Sequence, residues 1–202
     1  MLASLRRAGA ITGVAALITL LATPAEATPI VDQEFTQVTN VGVTALINSG
    51  CKYVGQSFTA GLSGTLTAVN IQVTSREGAP PLRVAIRAMR WGKPFGDALG
   101  FRYLKYPQAP LSRSITFAQR IPLVAGENYA IVVSYKGAQP TPGPGWGSWA
   151  GAGTFSPPDL YPRGRMFSGD CPTYGLPTLW NFDPGSSLYD LHFRTFVEAT
   201  TA

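Results

Sequence analysis

Residues 51–73 read CKYVGQSFTAGLSGTLTAVNIQV, and the second half of this stretch alternates apolar and polar side chains. Val69, Ile71 and Val73 share one face of an extended chain, and polar residues separate them. Successive side chains of a β-strand point to opposite faces, so the alternation is typical of a strand buried on one side. Gly61 and Gly64 come just before this alternating segment, where a tight turn is expected. The stretch therefore predicts a turn followed by a half-buried strand.

The same period of two recurs along most of the chain. It is found in residues 82–89 (LRVAIRAM), 114–123 (SITFAQRIPL), 128–135 (NYAIVVSY) and 190–197 (DLHFRTFV). In the last segment Leu191, Phe193 and Val197 are expected to face the core, opposite Asp190 and His192. Short alternating strands separated by Gly- and Pro-rich turns predict an all-β sandwich or barrel. Of the two, we expect an antiparallel β-sandwich.

The N-terminus has the features of a secretory signal peptide over residues 1–27. Arg6 and Arg7 precede the apolar run 8–22, and Ala25 and Ala27 supply the small residues that precede a cleavage site. A membrane anchor is the alternative, but it needs about 20 apolar residues. We therefore expect a secreted, extracellular protein whose mature chain, residues 28–202, is a single domain with no membrane span.

Residues 136–187 depart from the simple alternation because they are rich in Gly, Pro and aromatic side chains. A structureless loop of this length is improbable inside a compact domain. We therefore expect short strands near residues 146–149, 165–167 and 179–182, joined by extended loops.

The chain has only two cysteines, Cys51 and Cys171. An even number of cysteines in an exported chain predicts a disulfide bond, which would tie the aromatic region to the strand that begins near Cys51. Two free thiols or an intermolecular bridge are the alternatives.

The net charge is +5 at pH 7, and the basic residues are scattered. Proteins that bind nucleic acid usually concentrate their positive charge on one face or in one tail. The sequence therefore predicts no nucleic-acid partner.

Several segments together resemble the exported bacterial β-sandwich domains described as choice-of-anchor or carbohydrate-binding-module-like domains. They are residues 55–73 (GQSFTAGLSGTLTAVNIQV), 81–89 (PLRVAIRAM), 123–135 (LVAGENYAIVVSY), 145–153 (GWGSWAGAG) and 190–197 (DLHFRTFV). The resemblance implies a jelly-roll-like sandwich on a secreted or cell-surface protein, with polysaccharide or a cell-surface glycan as an expected partner. The chain departs from it through the cysteine pair.

Catalytic signatures are weak. The chain has one histidine, His192, and no G-x-S-x-G nucleophile motif, which argues against a Ser-His-Asp hydrolase. No pair of carboxylates lies in a recognisable motif, although two could meet in space as glycoside hydrolysis requires. We predict a non-catalytic protein and keep a hydrolase as an alternative.

Sugar-binding modules of the jelly-roll type imply one further site, a structural calcium where the first and last strands meet. Asp32, Glu34 and Asp190 are the candidate oxygen ligands. The alternative is that these charges protect sheet edges from aggregation. No other cofactor is predicted.

Sugar binding is expected to depend on exposed aromatic rings in the region rich in Gly and Pro, with polar side chains beside them. The candidate residues are Trp146, Trp149, Tyr161, Arg163, Arg165, Trp180 and Asp183. Large aromatic side chains also fill β-sandwich cores, so each tryptophan has a structural alternative. The rival function is a structural or adhesive surface domain without a small-ligand site.

Overall fold

The computed structural model describes residues 28–37, 42–47, 53–75, 80–105, 112–136, 147–153, 161–169, 180–181 and 189–200. Over these ranges the regular structure is entirely β, with thirteen strands. The predicted signal peptide, Cys51 and Cys171 lie outside the described residues. Among the residues that are described, no helix is long and apolar enough to cross a membrane.

The strands form two antiparallel sheets. Their bounds are β1 Ile30–Phe35, β2 Gly42–Ile47, β3 Tyr53–Thr59, β4 Gly64–Ser75, β5 Leu82–Arg90, β6 Lys93–Leu104, β7 Ser112–Leu123, β8 Asn128–Tyr135, β9 Gly147–Gly153, β10 Met166–Gly169, β11 Trp180–Asn181, β12 Tyr189–Leu191 and β13 Phe193–Ala199. One sheet has seven strands in the order β1-β13-β4-β9-β12, with β2 paired to β9 and β7 paired to β4. The other has six strands in the order β11-β10-β3-β8-β5-β6.

The two sheets pack face to face through the apolar positions of the alternating segments. In the six-stranded sheet Phe58, Ile86 and Ile131 are buried, and in the seven-stranded sheet Ile71 and Phe193 meet them in the same core cluster. Burying one face of each sheet explains the period of two in the sequence. The predicted antiparallel β-sandwich is confirmed.

The aromatic region contributes short strands to both sheets. β9 pairs with β2, β4 and β12 in the seven-stranded sheet, whereas β10 pairs with β3 and β11 in the other. Strands near residues 146–149, 165–167 and 179–182 were expected, and each is present with shifted bounds.

The final alternating segment differs from the prediction at Asp190. Leu191, Phe193 and Val197 are buried as expected, but Asp190 is also buried, with 1% of its surface exposed. The segment is two strands, β12 and β13, which separate at His192. β12 pairs with β9 and β13 with β4, so the alternation of β13 does not extend back to Asp190.

Candidate ligand-binding groove

A groove of about 320 Å³ lies on the outer face of the six-stranded sheet. Its lining residues come from three strands, one hairpin and one loop: Ser57, Thr59, Met89, Trp91, Gly92, Asn128, Pro162, Arg163, Gly164 and Arg165. Phe58 and Tyr129 point into the core, so their neighbours Ser57, Thr59 and Asn128 point outward and form the floor.

The β5–β6 hairpin forms one wall of the groove. Arg90 pairs with Lys93, which leaves Trp91 and Gly92 as a two-residue turn. Trp91 has φ of 51° and Gly92 has φ of 73°. Positive φ at both central positions defines the type I′ turn, where Asn-Gly is the usual pair. A tryptophan at the first of these positions is an outlier for a bulky residue, and such outliers occur mainly at functional sites.

Trp91 is also the most exposed large apolar side chain among the described residues, with 83% of its surface accessible. The guanidinium carbon of Arg90 lies 4.2 Å from the centroid of its ring. An indole is costly to leave in water, and this contact covers only part of it. The turn therefore presents a large aromatic surface at the rim of the groove.

The opposite wall is the loop that leads into β10, and Ser57 holds it against the sheet. The Ser57 amide donates to the carbonyl oxygen of Arg165 (3.0 Å), and the Arg165 amide donates to the Ser57 hydroxyl (2.9 Å). A Cβ at Gly164 would lie 1.8 Å from the Ser57 carbonyl oxygen, so only glycine permits this approach. The backbone of the loop is thereby positioned beside the sheet.

Polar groups line the space between the two walls. The hydroxyl of Thr59 lies 2.8 Å from Oδ1 of Asn128 and 3.0 Å from the carbonyl oxygen of Arg163. The Arg165 side chain donates to the carbonyl oxygen of Gly92 (3.5 Å), which links the loop to the hairpin. The groove thus combines an aromatic rim with hydrogen-bonding groups and two guanidinium groups.

Trp149 is a core residue, which corrects the prediction that it is a ligand platform. It has 0% exposure, and its indole Nε1 donates to the carbonyl oxygen of His192 (2.8 Å). β9 lies inside the seven-stranded sheet, with β2 along one side and β4 and β12 along the other. Its inward side chain therefore fills the space between the sheets.

Tyr161 is likewise not a platform. Its ring packs edge-on against Phe193, with 5.2 Å between centroids, and its hydroxyl donates to Oε1 of Gln33 (3.1 Å). Burial raises the pKa of the Tyr161 hydroxyl above its ordinary value, and the nearby carboxylates of Asp190 and Asp32 act in the same direction. The residue anchors the groove-forming loop to the core.

Of the remaining predicted site residues, Arg163 and Arg165 do line the groove. Trp146 and Asp183 lie outside the described residues, and Trp180 is described only as part of β11. Trp91 was missed, although the sequence carries a signal for it. The tetrapeptide Arg90-Trp91-Gly92-Lys93 places a tryptophan between two strand patterns, at a position where a turn residue belongs.

The structure does not bring the predicted calcium ligands together. Asp32 accepts a hydrogen bond from the Gly61 amide (3.0 Å), and Glu34 forms an ion pair with Arg194 (2.7 Å). Asp190 instead accepts from the Gln56 side chain inside the core. Within the described ranges, no cluster of three or more His, Cys, Asp or Glu side chains could hold a metal ion.

His192 makes contacts typical of a structural residue. Its Nε2 lies 2.8 Å from the carbonyl oxygen of Gln37, an acceptor, so Nε2 carries the proton. Nδ1 lies 3.2 Å from Oε1 of Gln72, and the ring packs against Phe35. The grooves formed by described residues near His192, near Arg102 and near Trp91 have no Asp or Glu in their linings.

Comparisons with known proteins add little to this description. No protein-family model matches the chain, and no curated protein matches it. A chain from the structure of infectious bursal disease virus, Gx strain, aligns with 95% of this chain at 13% sequence identity and a TM-score of 0.25. This chain spans 42% of that viral chain. So low a TM-score carries no argument about function.

Proposed function

We propose that this protein is a secreted, non-catalytic binding module that takes carbohydrate in the groove beside Trp91. The observation that carries the proposal is the position of Trp91. An indole with 83% exposure stands at the rim of a groove whose floor is polar. The resemblance drawn from the strand pattern is consistent with this function.

The chemistry of a sugar fits these groups. One face of a pyranose ring is a patch of C–H groups that packs on an aromatic ring, while its hydroxyls need hydrogen-bond donors and acceptors. Trp91 offers the aromatic surface. Thr59, Asn128 and the arginines Arg163 and Arg165 offer donors and acceptors within the same groove. A concave site with a few convergent polar groups is the usual form of a ligand site.

A structural or adhesive surface domain is the second candidate, and the burial of Trp149 favours it. That tryptophan was a candidate sugar platform, and it lies wholly in the core. The structural function accounts for Trp149 but leaves the exposure and positive φ of Trp91 unexplained. Carbohydrate binding accounts for both residues, because it assigns Trp149 to the core and Trp91 to the ligand.

A glycan array probed with the full-length protein tests the proposal. We expect binding to at least one polysaccharide class, and we expect Trp91→Ala to abolish it. Val124→Ala is the matched control, since Val124 is an exposed apolar residue that does not line the groove. Folding of each variant is checked by far-ultraviolet circular dichroism. Absence of binding by the unmodified protein, or unchanged binding by Trp91→Ala, refutes the proposal.

A further inference from the structure

We infer that the ligand of this groove is an acidic polysaccharide, a chain of uronic acid residues that extends along the outer face of β5 and β6. The inference rests on the proposed function and specifies its ligand. Trp91, Phe101 and Tyr103 on this hairpin each have a cation beside the ring, and the groove itself is lined by two arginines.

The charge of the groove is the first argument. Arg163 and Arg165 both line it, and the described residues of its lining include no Asp or Glu. The Gly92 contact holds the Arg165 guanidinium at the rim. A guanidinium presents parallel N–H donors that match the two oxygens of a carboxylate, which makes arginine suited to a uronate.

A second aromatic patch lies further along the hairpin. Phe101 and Tyr103 are 36% and 39% exposed, and their rings meet edge-on with 5.5 Å between centroids. The Arg83 guanidinium carbon lies 4.6 Å from the Phe101 centroid, and Lys136 Nζ lies 5.1 Å from the Tyr103 centroid. The patch therefore presents both apolar and cationic surface, like the rim of the groove.

The strand register places this patch on the same face of the sheet as the groove. Arg83 pairs with Tyr103 and Ala85 pairs with Phe101, while Val84 between them points into the core. Ala85 precedes Trp91 by six residues. At about 3.3 Å per strand residue, the patch lies roughly 20 Å from the turn. That separation requires a polymer for one ligand to contact both sites.

The cations beside the rings make no ion pair within the part of the chain that the structure describes. These cations are Arg83, Arg90 and Lys136. Cations held over rings without acidic partners repel one another, so a polyanion that binds across them gains electrostatic free energy. A neutral chain gains none of it.

Titration with oligogalacturonates tests the inference, because the methyl-esterified forms have the same rings without the charge. We expect the full-length protein to bind the free acid at least tenfold more tightly than the ester. Affinity for the acid should fall as salt rises, since salt screens exposed charges. Arg163→Gln and Arg165→Gln should each weaken binding about tenfold, as expected for loss of a charged hydrogen bond. Arg120→Gln, an exposed charge loss on β7 outside the groove, should have little effect.

Chain length tests the second patch separately. Tyr103→Ala should weaken binding of a long oligomer several-fold and leave a disaccharide unaffected, whereas Trp91→Ala should weaken both. Equal binding of acid and ester would overturn the inference and leave carbohydrate binding intact. Failure to bind any sugar would remove the proposed function itself. Tighter binding to single-stranded DNA or to anionic lipid vesicles than to any uronate would also overturn the inference.

Discussion

Gln56 and Asp190 join the two sheets from inside the core. Nε2 of Gln56 donates to Oδ1 of Asp190 over 2.7 Å, and Oε1 of Gln56 accepts from the Leu191 amide over 2.8 Å. Both side chains are buried. Gln56 lies on β3 of one sheet and Asp190 on β12 of the other, so one amide group satisfies polar groups across the interface. Buried polar groups need such partners because their desolvation is costly.

Replacement of Gln56 by leucine should therefore destabilise the fold. The change removes the acceptor of the Leu191 amide and the donor to the Asp190 carboxylate. We therefore expect a loss of about 2–4 kcal/mol in the free energy of unfolding. Urea denaturation measures it. Gln37→Leu is the matched control, since Gln37 is exposed and contacts His192 through its backbone carbonyl oxygen. Equal effects of the two substitutions would show that the contact between the sheets contributes nothing.

Trp149 should matter for stability and not for ligand binding. Trp149→Phe keeps an aromatic ring but leaves the His192 carbonyl without its indole donor, and we expect a loss of about 1–3 kcal/mol. Thermal unfolding measures the loss, and titration with the glycan identified on the array measures binding at a temperature where the variant is folded. Weakened binding by the folded variant would contradict the assignment of Trp149 to the core.

Trp91 should show the reverse behaviour. Trp91→Asn puts a residue that tolerates positive φ into the type I′ turn, which relieves about 1–2 kcal/mol of backbone strain. Loss of the exposed contact with Arg90 costs about 0.5–1 kcal/mol. We therefore expect a small net gain in stability by urea denaturation, together with loss of glycan binding. A destabilised variant would show that Trp91 has a structural role.

Asp32 should make the stability of the fold depend on pH. Burial raises the pKa of its carboxyl above the ordinary value of 3.8, and hydrogen bonds from the Gly61 and Leu62 amides only partly oppose this. The folded state therefore binds the proton more tightly than the unfolded state. The contribution of Asp32 to stability is greatest below pH 3.8 and declines as pH rises through the raised pKa.

Asp32→Asn removes this titration while keeping an oxygen for the Gly61 amide. We expect the variant to gain stability relative to the unmodified protein as pH rises from 3 to 7. Melting temperatures of both proteins across that range measure the difference. Asp97→Asn is the control for loss of an exposed carboxylate by the same substitution. A constant difference between the Asp32→Asn variant and the unmodified protein would contradict the raised pKa.

Gly164 should determine the width of the groove. A methyl group at this position would meet the Ser57 carbonyl oxygen, so Gly164→Ala must push the loop away from β3 at a cost of about 1–3 kcal/mol. We expect both reduced thermal stability and weaker glycan binding. Gly96→Asn is the control, because nothing lies within 4 Å of a Cβ there and asparagine accepts its positive φ of 64°. Unchanged binding by Gly164→Ala would place the ligand elsewhere.

The strands themselves were predictable because the alternation that marks them is a local property. Val69, Ile71 and Val73 had to lie on one face once the chain was extended, and their burial follows from it. The exposure of Arg163 and Arg165 was also predictable, since a loop rich in Gly and Pro exposes its charged side chains. These inferences needed no knowledge of which strands are neighbours.

Strand pairing decided which of the aromatic and acidic side chains are buried. Whether Trp149 fills the core or Trp91 stands in solvent depends on the position of β9 inside one sheet and of the β5–β6 turn at the end of the other. Both tryptophans are followed by a small residue, so local sequence does not separate them. The burial of Asp190 likewise depends on Gln56, a partner 134 residues away. The sequence by itself determined a two-layer β fold, because alternation acts between adjacent residues. Only the tertiary structure decided which aromatic ring is buried and which is exposed to solvent, because burial depends on residues that are distant along the chain.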